Sequence, residues 1–148
     1  MDLNFRTGLA LLVLTVSLVL LVLAMTGAEF QSGQVGYMEL NNVQFHFTPA
    51  TGDAPTRTHQ LEAMHNDTHV GTLAWRPGNG TVTRAWVHPE ARRQGLALNM
   101  MRHVQSEYMP TMANGRQMQL QHSPHRDPDG EKFAQATKHE FYAPKRMT

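Results

Sequence analysis

The sequence predicts an α/β fold: a mixed sheet of an antiparallel meander and a parallel strand pair joined by a helix crossover, preceded by an apolar N-terminal helix. Three observations predict it. Residues 8–27 carry no charge, residues 43–87 contain runs of alternating apolar and polar side chains, and residues 96–108 repeat apolar side chains every three or four positions. A period of two is typical of strands, and a period near 3.6 is typical of helices.

The apolar segment, residues 1–28, is long enough to cross a bilayer as a helix, which needs about 20 apolar residues. Arg6 precedes the run, and no basic residue follows it until Arg57. This charge bias predicts a single-pass membrane protein with its N-terminus in the cytoplasm and the rest of the chain outside. A signal peptide cleaved near Thr26-Gly27-Ala28 is a second interpretation.

A third interpretation starts translation at Met38, after a featureless linker at 29–37, and gives a cytoplasmic protein. A buried apolar helix is a fourth. The predicted folded domain is residues 38–148, which is long enough for one modest core.

The composition excludes several functions. A net charge of +1 gives no general attraction for polyanions, so no nucleic-acid partner is predicted. The chain has no cysteine, which excludes disulfides, thiolate metal sites and a cysteine nucleophile. Nine histidines are present, but the pair His122-x-x-His125 has no third ligand at a useful spacing, so no metal site is predicted.

Strands come first in the domain. Four alternating segments bounded by turn formers each predict a strand: 43–47, 59–65, 69–75 and 81–88. A turn-rich loop at 50–58 separates the first two, and Asn66-Asp67 predicts a tight hairpin between the next two. Pro89 ends the fourth strand because proline has no N–H to donate.

An amphipathic helix follows at 96–108. Its apolar side chains share one face, while polar side chains take the other. The apolar set is Leu96, Ala97, Met100, Met101, Val104 and Tyr108.

A last strand and a second helix complete the domain. Met118 and Leu120 alternate with glutamines, which predicts a short strand parallel to the fourth because a helix crossover joins them. Asp127 as N-cap and Pro128 as first helical residue predict the second helix. Its inward side chains are expected to be Phe133, Ala136, Thr137 and Phe141. Residues 143–148 are expected to be frayed.

The connection between the fourth strand and the first helix reads RRQGLA at residues 92–97. The backbone N–H groups in the first turn of a helix lack helical partners, and the positive end of the helix dipole lies there. With two arginines and a glycine beside them, these groups predict a phosphate-binding loop.

RRQGLA resembles the Q/R-x-x-G-x-G/A signature of GNAT-type N-acetyltransferases, and AWVHPEA before it resembles that family's strand-end V-x-P-E segment. The predicted order of elements resembles the GNAT core over residues 61–141. The resemblance implies an acyltransferase that moves an acetyl group from acetyl-CoA to the amine of an unidentified acceptor.

The resemblance also implies cofactor-binding residues. In that family the loop amides hold the pyrophosphate of acetyl-CoA, and the strand end lines its pantetheine arm. The implied set is Ala85, Trp86, Val87, Arg92, Arg93, Gln94, Gly95, Leu96, Ala97 and Leu98. The N–H of Val87 is expected to meet the acetyl carbonyl, and Arg84 and Arg102 are expected to join the arginines around the CoA phosphates.

Acetyl transfer needs a base for the ammonium proton and hydrogen-bond donors for the oxyanion. The candidate catalytic residues are His88, Glu90, His122 and Ser123, with Glu62 as a further possible base. His122 and Ser123 end the last strand, which is where ligands gather in open α/β sheets.

The chain departs from the GNAT pattern in two ways. Residues 50–58 are too few to hold the two helices that the family usually has between its first strands. The last helix reads GEKFAQATKHEF and lacks the tyrosine that in the family protonates the departing thiolate. A membrane-tethered, non-catalytic GNAT-like binding module, attached through residues 8–27 if Met1 is the start, is therefore the alternative. An outward domain would also be separated from cytoplasmic acetyl-CoA.

Overall fold

The computed structural model describes residues 36–148. The predicted apolar segment 1–28 and almost all of the predicted linker 29–37 lie outside the described residues. Tyr37–Thr148 forms one compact unit. Among residues 36–148, no helix is long and apolar enough to cross a membrane.

The sheet begins with an edge strand, β1 (Gln44–Thr48), in which alternate side chains are half-buried. It pairs antiparallel with β2 (His59–His65), with Phe47 opposite Leu61. The connection between them, residues 49–58, contains turns and no helix. The prediction that this loop is too short for two helices is confirmed.

A two-residue turn joins β2 to β3 (Thr68–Trp75). Asn66 and Asp67 both have positive φ, 48° and 62°. Two consecutive left-handed residues match the right-handed twist of a hairpin, and asparagine and aspartate tolerate that conformation. The predicted hairpin is confirmed, and β3 is buried from Val70 to Trp75.

The fourth strand, β4 (Thr81–Val87), pairs antiparallel with β3. Ala74 lies opposite Arg84, whereas Trp75 lies opposite Val82. Thr83 is therefore an extra residue on β4, a β-bulge.

A short 3₁₀ helix at Pro89–Ala91 and the helix α1 (Leu96–Glu107) follow β4. Leu96, Met100, Met101 and Val104 are the buried side chains of α1. The helix packs closely on β3 because Gly71 has no side chain: a Cβ there would lie 2.9 Å from Cε of Met100. The strand, loop and amphipathic helix predicted for residues 81–108 are confirmed.

The last strand is shorter and later than predicted. β5 (Gln121–His122) pairs parallel with β4, as expected, but residues 118–120 make no strand pairing. Leu120 is fully buried, so its inward direction was predicted correctly. The side chain of Gln105 makes hydrogen bonds to the backbone of this segment: Leu120 N–H donates to its Oε1 (2.8 Å), and its Nε2 donates to Met118 O (3.0 Å).

The second helix, α2 (Pro128–Thr137), begins as predicted, with Asp127 accepting a hydrogen bond from Gly130 N–H at 2.6 Å. Its buried side chains are Ala134 and Thr137. Ala136 was expected to face inward but is exposed, because the buried face of α2 contains Ala134 instead. The sheet order is β1-β2-β3-β4-β5.

The expectation of a frayed tail is wrong. Met147 N–H donates to Pro124 O (2.8 Å), and Arg146 Nε donates to Arg126 O (2.9 Å). The carbonyl of Tyr142 accepts from His122 N–H (2.9 Å), which ties the tail to β5. These partners lie about 20 residues away along the chain, so no local pattern signals them.

Candidate active site

The central feature of the site is an unpaired edge in the middle of the sheet. β5 pairs with β4 only at Thr81 and Val82. Beyond Val82, no strand of the described residues covers that side of β4, and Thr83, Arg84 and Ala85 are exposed. The two parallel strands therefore splay apart and leave backbone groups of β4 open to a ligand.

The direction of these backbone groups follows from the hydrogen bond of His88 N–H to Val70 O (2.8 Å). Backbone groups of a strand point alternately to its two sides, so those of Trp86 and Arg84 also point toward β3. Those of Ala85 and Val87 point to the open side. The backbone groups of Trp86 are therefore not available to a ligand on the open side. Its ring stacks on His69, with centroids 5.2 Å apart.

The loop at residues 92–98 presents a row of free amides. No backbone carbonyl of residues 36–148 accepts a hydrogen bond from any N–H in 92–98, and Gly95, the N-cap of α1, has no side-chain cap. Arg93 and Gly95 both have positive φ, 64° and 76°. Such turns bring successive N–H groups to one side and form concavities that attract anions.

A cleft of about 280 Å³ lies in the splay between β4 and β5. One wall is β4 from Val82 to Ala85, and the other is formed by His122, Ser123 and the first turn of α2. Two larger clefts lie outside the splay: one of about 430 Å³ borders the loop at Gln94 and Leu96, and one of about 620 Å³ lies beside residues 112–121. The smaller cleft is the candidate site because it adjoins the open backbone of β4.

His122 is the buried histidine of this cleft, with 4% of its surface exposed. Its Nε2 lies 2.8 Å from Oγ1 of Thr137, and that hydroxyl donates to Phe133 O at 2.8 Å. The hydroxyl proton is thus committed, so Nε2 carries the imidazole proton and donates it to Thr137. Nδ1 then holds a lone pair and has no partner among the described residues.

The surroundings of His122 favour its neutral form. Burial lowers its pKa most, and the positive charge of Arg126 lowers it further, while Glu131 acts in the opposite direction. A neutral imidazole with a free Nδ1 can accept a proton.

Arg126 is a site residue that the sequence analysis missed. Its side chain is 5% exposed and donates from Nε to Glu131 Oε2 (2.8 Å), from Nη2 to Pro144 O (3.0 Å), and from Nη1 to Ser123 O. It therefore joins the end of β5, the first turn of α2 and the tail. No motif marks it, because two of its three acceptors are backbone carbonyls.

Two of the other candidate catalytic residues, His88 and Ser123, accept hydrogen bonds that hold local turns. Nδ1 of His88 accepts the N–H of Glu90 (3.1 Å) and caps the 3₁₀ helix. Ser123 Oγ accepts the N–H of His125 (3.0 Å) in a local turn. Of the four residues, only His122 and Ser123 line the cleft.

Two predicted phosphate contacts are engaged elsewhere. Arg102 makes a two-point ion pair with Glu140, at 2.8 and 2.9 Å, so its guanidinium lies at the turn after α2 rather than at the loop. The hydrogen bond from Arg102 lowers the pKa of Glu140. The side chain of Gln94 makes hydrogen bonds to the backbone of residues 38 and 40. Only the backbone N–H of Gln94 is therefore available to a ligand. Arg92 is exposed and donates from Nε to Val87 O (3.1 Å).

Comparison with known proteins adds one finding. Residues 80–139 match the family model described as ESCO1/2 acetyl-transferase, an acetyltransferase family. Neither the curated proteins nor the solved structures give a significant match. The matched stretch contains β4, the loop, α1, β5 and α2, which are the elements that form the site.

Proposed function

We propose that this protein is a GNAT-type N-acetyltransferase that moves an acetyl group from acetyl-CoA to an amine. The observation that carries the proposal is the open edge of β4, next to a loop of unpartnered amides, inside the stretch that matches an acetyltransferase family. An open strand edge can hydrogen-bond the amide groups of the pantetheine arm, and a helix N-terminus can bind the diphosphate, so the two features together suit acetyl-CoA.

The residues present fit acetyl-CoA. The amides of residues 92–98, at the positive end of α1, suit the diphosphate, and the exposed side chains of Arg92 and Arg93 add positive charge. The outward backbone groups of Ala85 suit an amide of the pantetheine arm, since Val87 O already accepts from Arg92 Nε. The cleft of about 280 Å³ is large enough for the acetyl end and too small for the nucleotide, which would lie on the surface.

The thioester of acetyl-CoA supplies the acetyl group, which forms an amide with the acceptor and leaves a thiol. His122 is the base in this proposal, because it lies in the cleft, is held neutral and has a free Nδ1. The N–H of Val87 donates to the carbonyl oxygen as negative charge develops there. Thr137 holds the His122 ring in the tautomer that the base requires.

A second function, binding without turnover, is favoured by one observation. The resemblance to GNAT-type N-acetyltransferases implies a tyrosine on the last helix, and α2 has none; Tyr142, the nearest in sequence, is 66% exposed. A binding module would need the loop and the open edge but neither the base nor an acid.

The test compares thiol release and binding. The full chain is incubated with acetyl-CoA and a panel of amines, including a lysine peptide and a polyamine, and free thiol is measured. Thiol release that depends on an amine supports the transferase. Acetyl-CoA binding without thiol release supports the binding module, and absence of binding contradicts both.

A substitution at Gly95 tests the loop. A Cβ at this position meets no heavy atom within 4 Å, but its φ of 76° is strained for any other residue. Gly95→Glu and Gly95→Gln share this strain, so they differ chiefly in charge. We expect Gly95→Glu to weaken acetyl-CoA binding at least tenfold more than Gly95→Gln, measured by calorimetry, because the carboxylate repels the diphosphate. Equal binding by the two variants would contradict a diphosphate at this loop.

A further inference from the structure

Two glutamines of the chain make the same pair of hydrogen bonds at opposite ends of α1. Gln94 accepts from Leu40 N–H through Oε1 (3.0 Å) and donates to Met38 O through Nε2. Gln105 accepts from Leu120 N–H through Oε1 (2.8 Å) and donates to Met118 O through Nε2 (3.0 Å). In each case one amide side chain replaces a neighbouring strand for two alternate residues of an extended segment.

The two clamps differ in what they hold. Gln105 lies within α1, so its clamp joins a helix to the segment that leads into β5. Gln94 lies in the loop of unpartnered amides, directly before Gly95. Its clamp joins that loop to residues 38–41, which we call the strap.

The strap has two further attachments. Met38 N–H donates to Glu90 O (2.8 Å), in the 3₁₀ helix just before the loop. Asn41 O accepts from Nδ1 of His65 (2.7 Å), at the end of β2. The strap thus crosses from the sheet to the loop, and Gln94 is the loop side chain that fixes it.

We infer that Gln94 is a positioning residue that couples the strap to the diphosphate-binding loop. The inference rests on the proposed function. Within the described residues, no N–H of 92–98 donates to a backbone carbonyl, so the residues before Gly95 are held by side-chain contacts, and those of Gln94 reach across 54 and 56 residues of chain. Fastening the loop before a ligand arrives reduces the conformational entropy lost on binding.

Coupling of this kind is reciprocal. If the strap stabilises the loop conformation that binds a diphosphate, then a ligand on the loop stabilises the strap by the same free energy. CoA should therefore slow hydrogen exchange at the Leu40 amide, although no part of the strap needs to touch it.

The test uses Gln94→Met and Gln105→Met in the full chain. Methionine has nearly the volume of glutamine but cannot make either hydrogen bond, and both wild-type side chains are half-buried. We expect both variants to lose a similar few degrees of Tm. Only Gln94→Met should weaken CoA binding, by about tenfold in calorimetry, within the usual range of coupling between sites.

Hydrogen exchange provides the readout that a purely structural role would not change. In the wild type, CoA should slow exchange at Leu40 and leave Leu120 unchanged. In Gln94→Met, exchange at Leu40 should be fast with or without CoA. In Gln105→Met, the effect of CoA on Leu40 should persist.

The failures are distinguishable. If the wild type binds CoA and Gln94→Met binds it equally well, the inference is overturned and the proposed function stands. Equal weakening by both variants would likewise overturn the inference, because it would reflect general loss of stability. If the wild type does not bind CoA, the proposed function is overturned together with the inference.

Discussion

At the scale of single residues, His122 shows how environment assigns a chemical role. The sequence contains nine histidines, and their residue type alone does not distinguish them. His122 differs from a solvent-exposed histidine because burial and Arg126 lower its pKa and because Thr137 occupies its Nε2 proton. Its position at the end of the last strand was predictable, whereas its tautomer and partner were not.

The first prediction concerns the pH dependence of catalysis. The base must be unprotonated, and the pKa of His122 lies below its ordinary value of 6.5. We expect kcat/KM for acetyl transfer to fall on the acid side with a midpoint below 6.5. His122→Gln should lower kcat at least about 100-fold and remove that acid limb, as expected for loss of a general base.

His139→Gln is the control for this prediction, because His139 is exposed and lies outside the cleft. It should leave both kcat and the pH profile unchanged. A His122→Gln variant that retains the acid limb would assign the titrating group to another residue.

At the scale of elements, the end of β5, the start of α2 and the tail are held together by Arg126. Its partners Ser123 O, Glu131 and Pro144 O belong to three segments, and the first and the tail are otherwise joined by isolated bridges such as His125 with Met147. The tail was predicted to fray because its own sequence lacks a structural pattern. The side chain that orders it stands 18 residues earlier.

The second prediction follows from this network. Arg126→Met keeps much of the side-chain volume but leaves three acceptors without this donor. We expect the free energy of unfolding to fall by about 3 kcal/mol, measured by urea denaturation, since each lost hydrogen bond involves a charged donor. Arg102→Met, which breaks an exposed ion pair with Glu140, should cost much less. A smaller loss for Arg126→Met than for Arg102→Met would contradict the structural role of Arg126.

The shift of β5 is also an element-scale lesson. The alternation of Met118 and Leu120 with glutamines predicts a strand, and the buried direction of Leu120 agrees. Gln105 makes hydrogen bonds to Met118 O and Leu120 N–H, and the ladder with β4 begins only at Gln121. A periodic pattern predicts which side chains are buried; it does not predict whether a strand or a side chain pairs with the backbone.

At the scale of the whole molecule, two histidines link stability to pH. Burial, and secondarily Arg57, lowers the pKa of His59, whose Nδ1 accepts the N–H of Ala50 at 2.8 Å. The pKa of His122 is lowered as well. Both residues have folded-state values below the ordinary 6.5, so below that pH the unfolded chain binds more protons than the native one.

The third prediction is therefore that acid destabilises the fold. These contributions are complete above about pH 6.5 and decrease as the pH falls through the folded-state pKa values. Urea unfolding at pH 7.5, 6.5 and 5.5 should show the loss, and His59→Gln should make it shallower. His46→Gln, on the exposed side of β1, should leave the slope unchanged. A wild-type stability that rises toward pH 5.5 would contradict this account.

Most of the domain was predictable because its strands, the hairpin at Asn66-Asp67 and both helix starts depend on neighbours in sequence. The loop at 92–98 was predictable for the same reason. The Gln94 contacts, the Arg126 network and the ion pair of Arg102 join residues 18 to 56 positions apart or bind backbone. No pattern in one sequence encodes such pairings.

The extra residue Thr83 has a consequence for how β4 can vary in length. A bulge absorbs one extra residue without changing the pairing on either side of it. Losing one residue between Val82 and Ala85 would restore a regular ladder with β3 and leave the amides of Ala85 and Val87 on the open side. Related chains should therefore be able to lose a single residue here and keep this edge in use, which sequencing of such relatives can check.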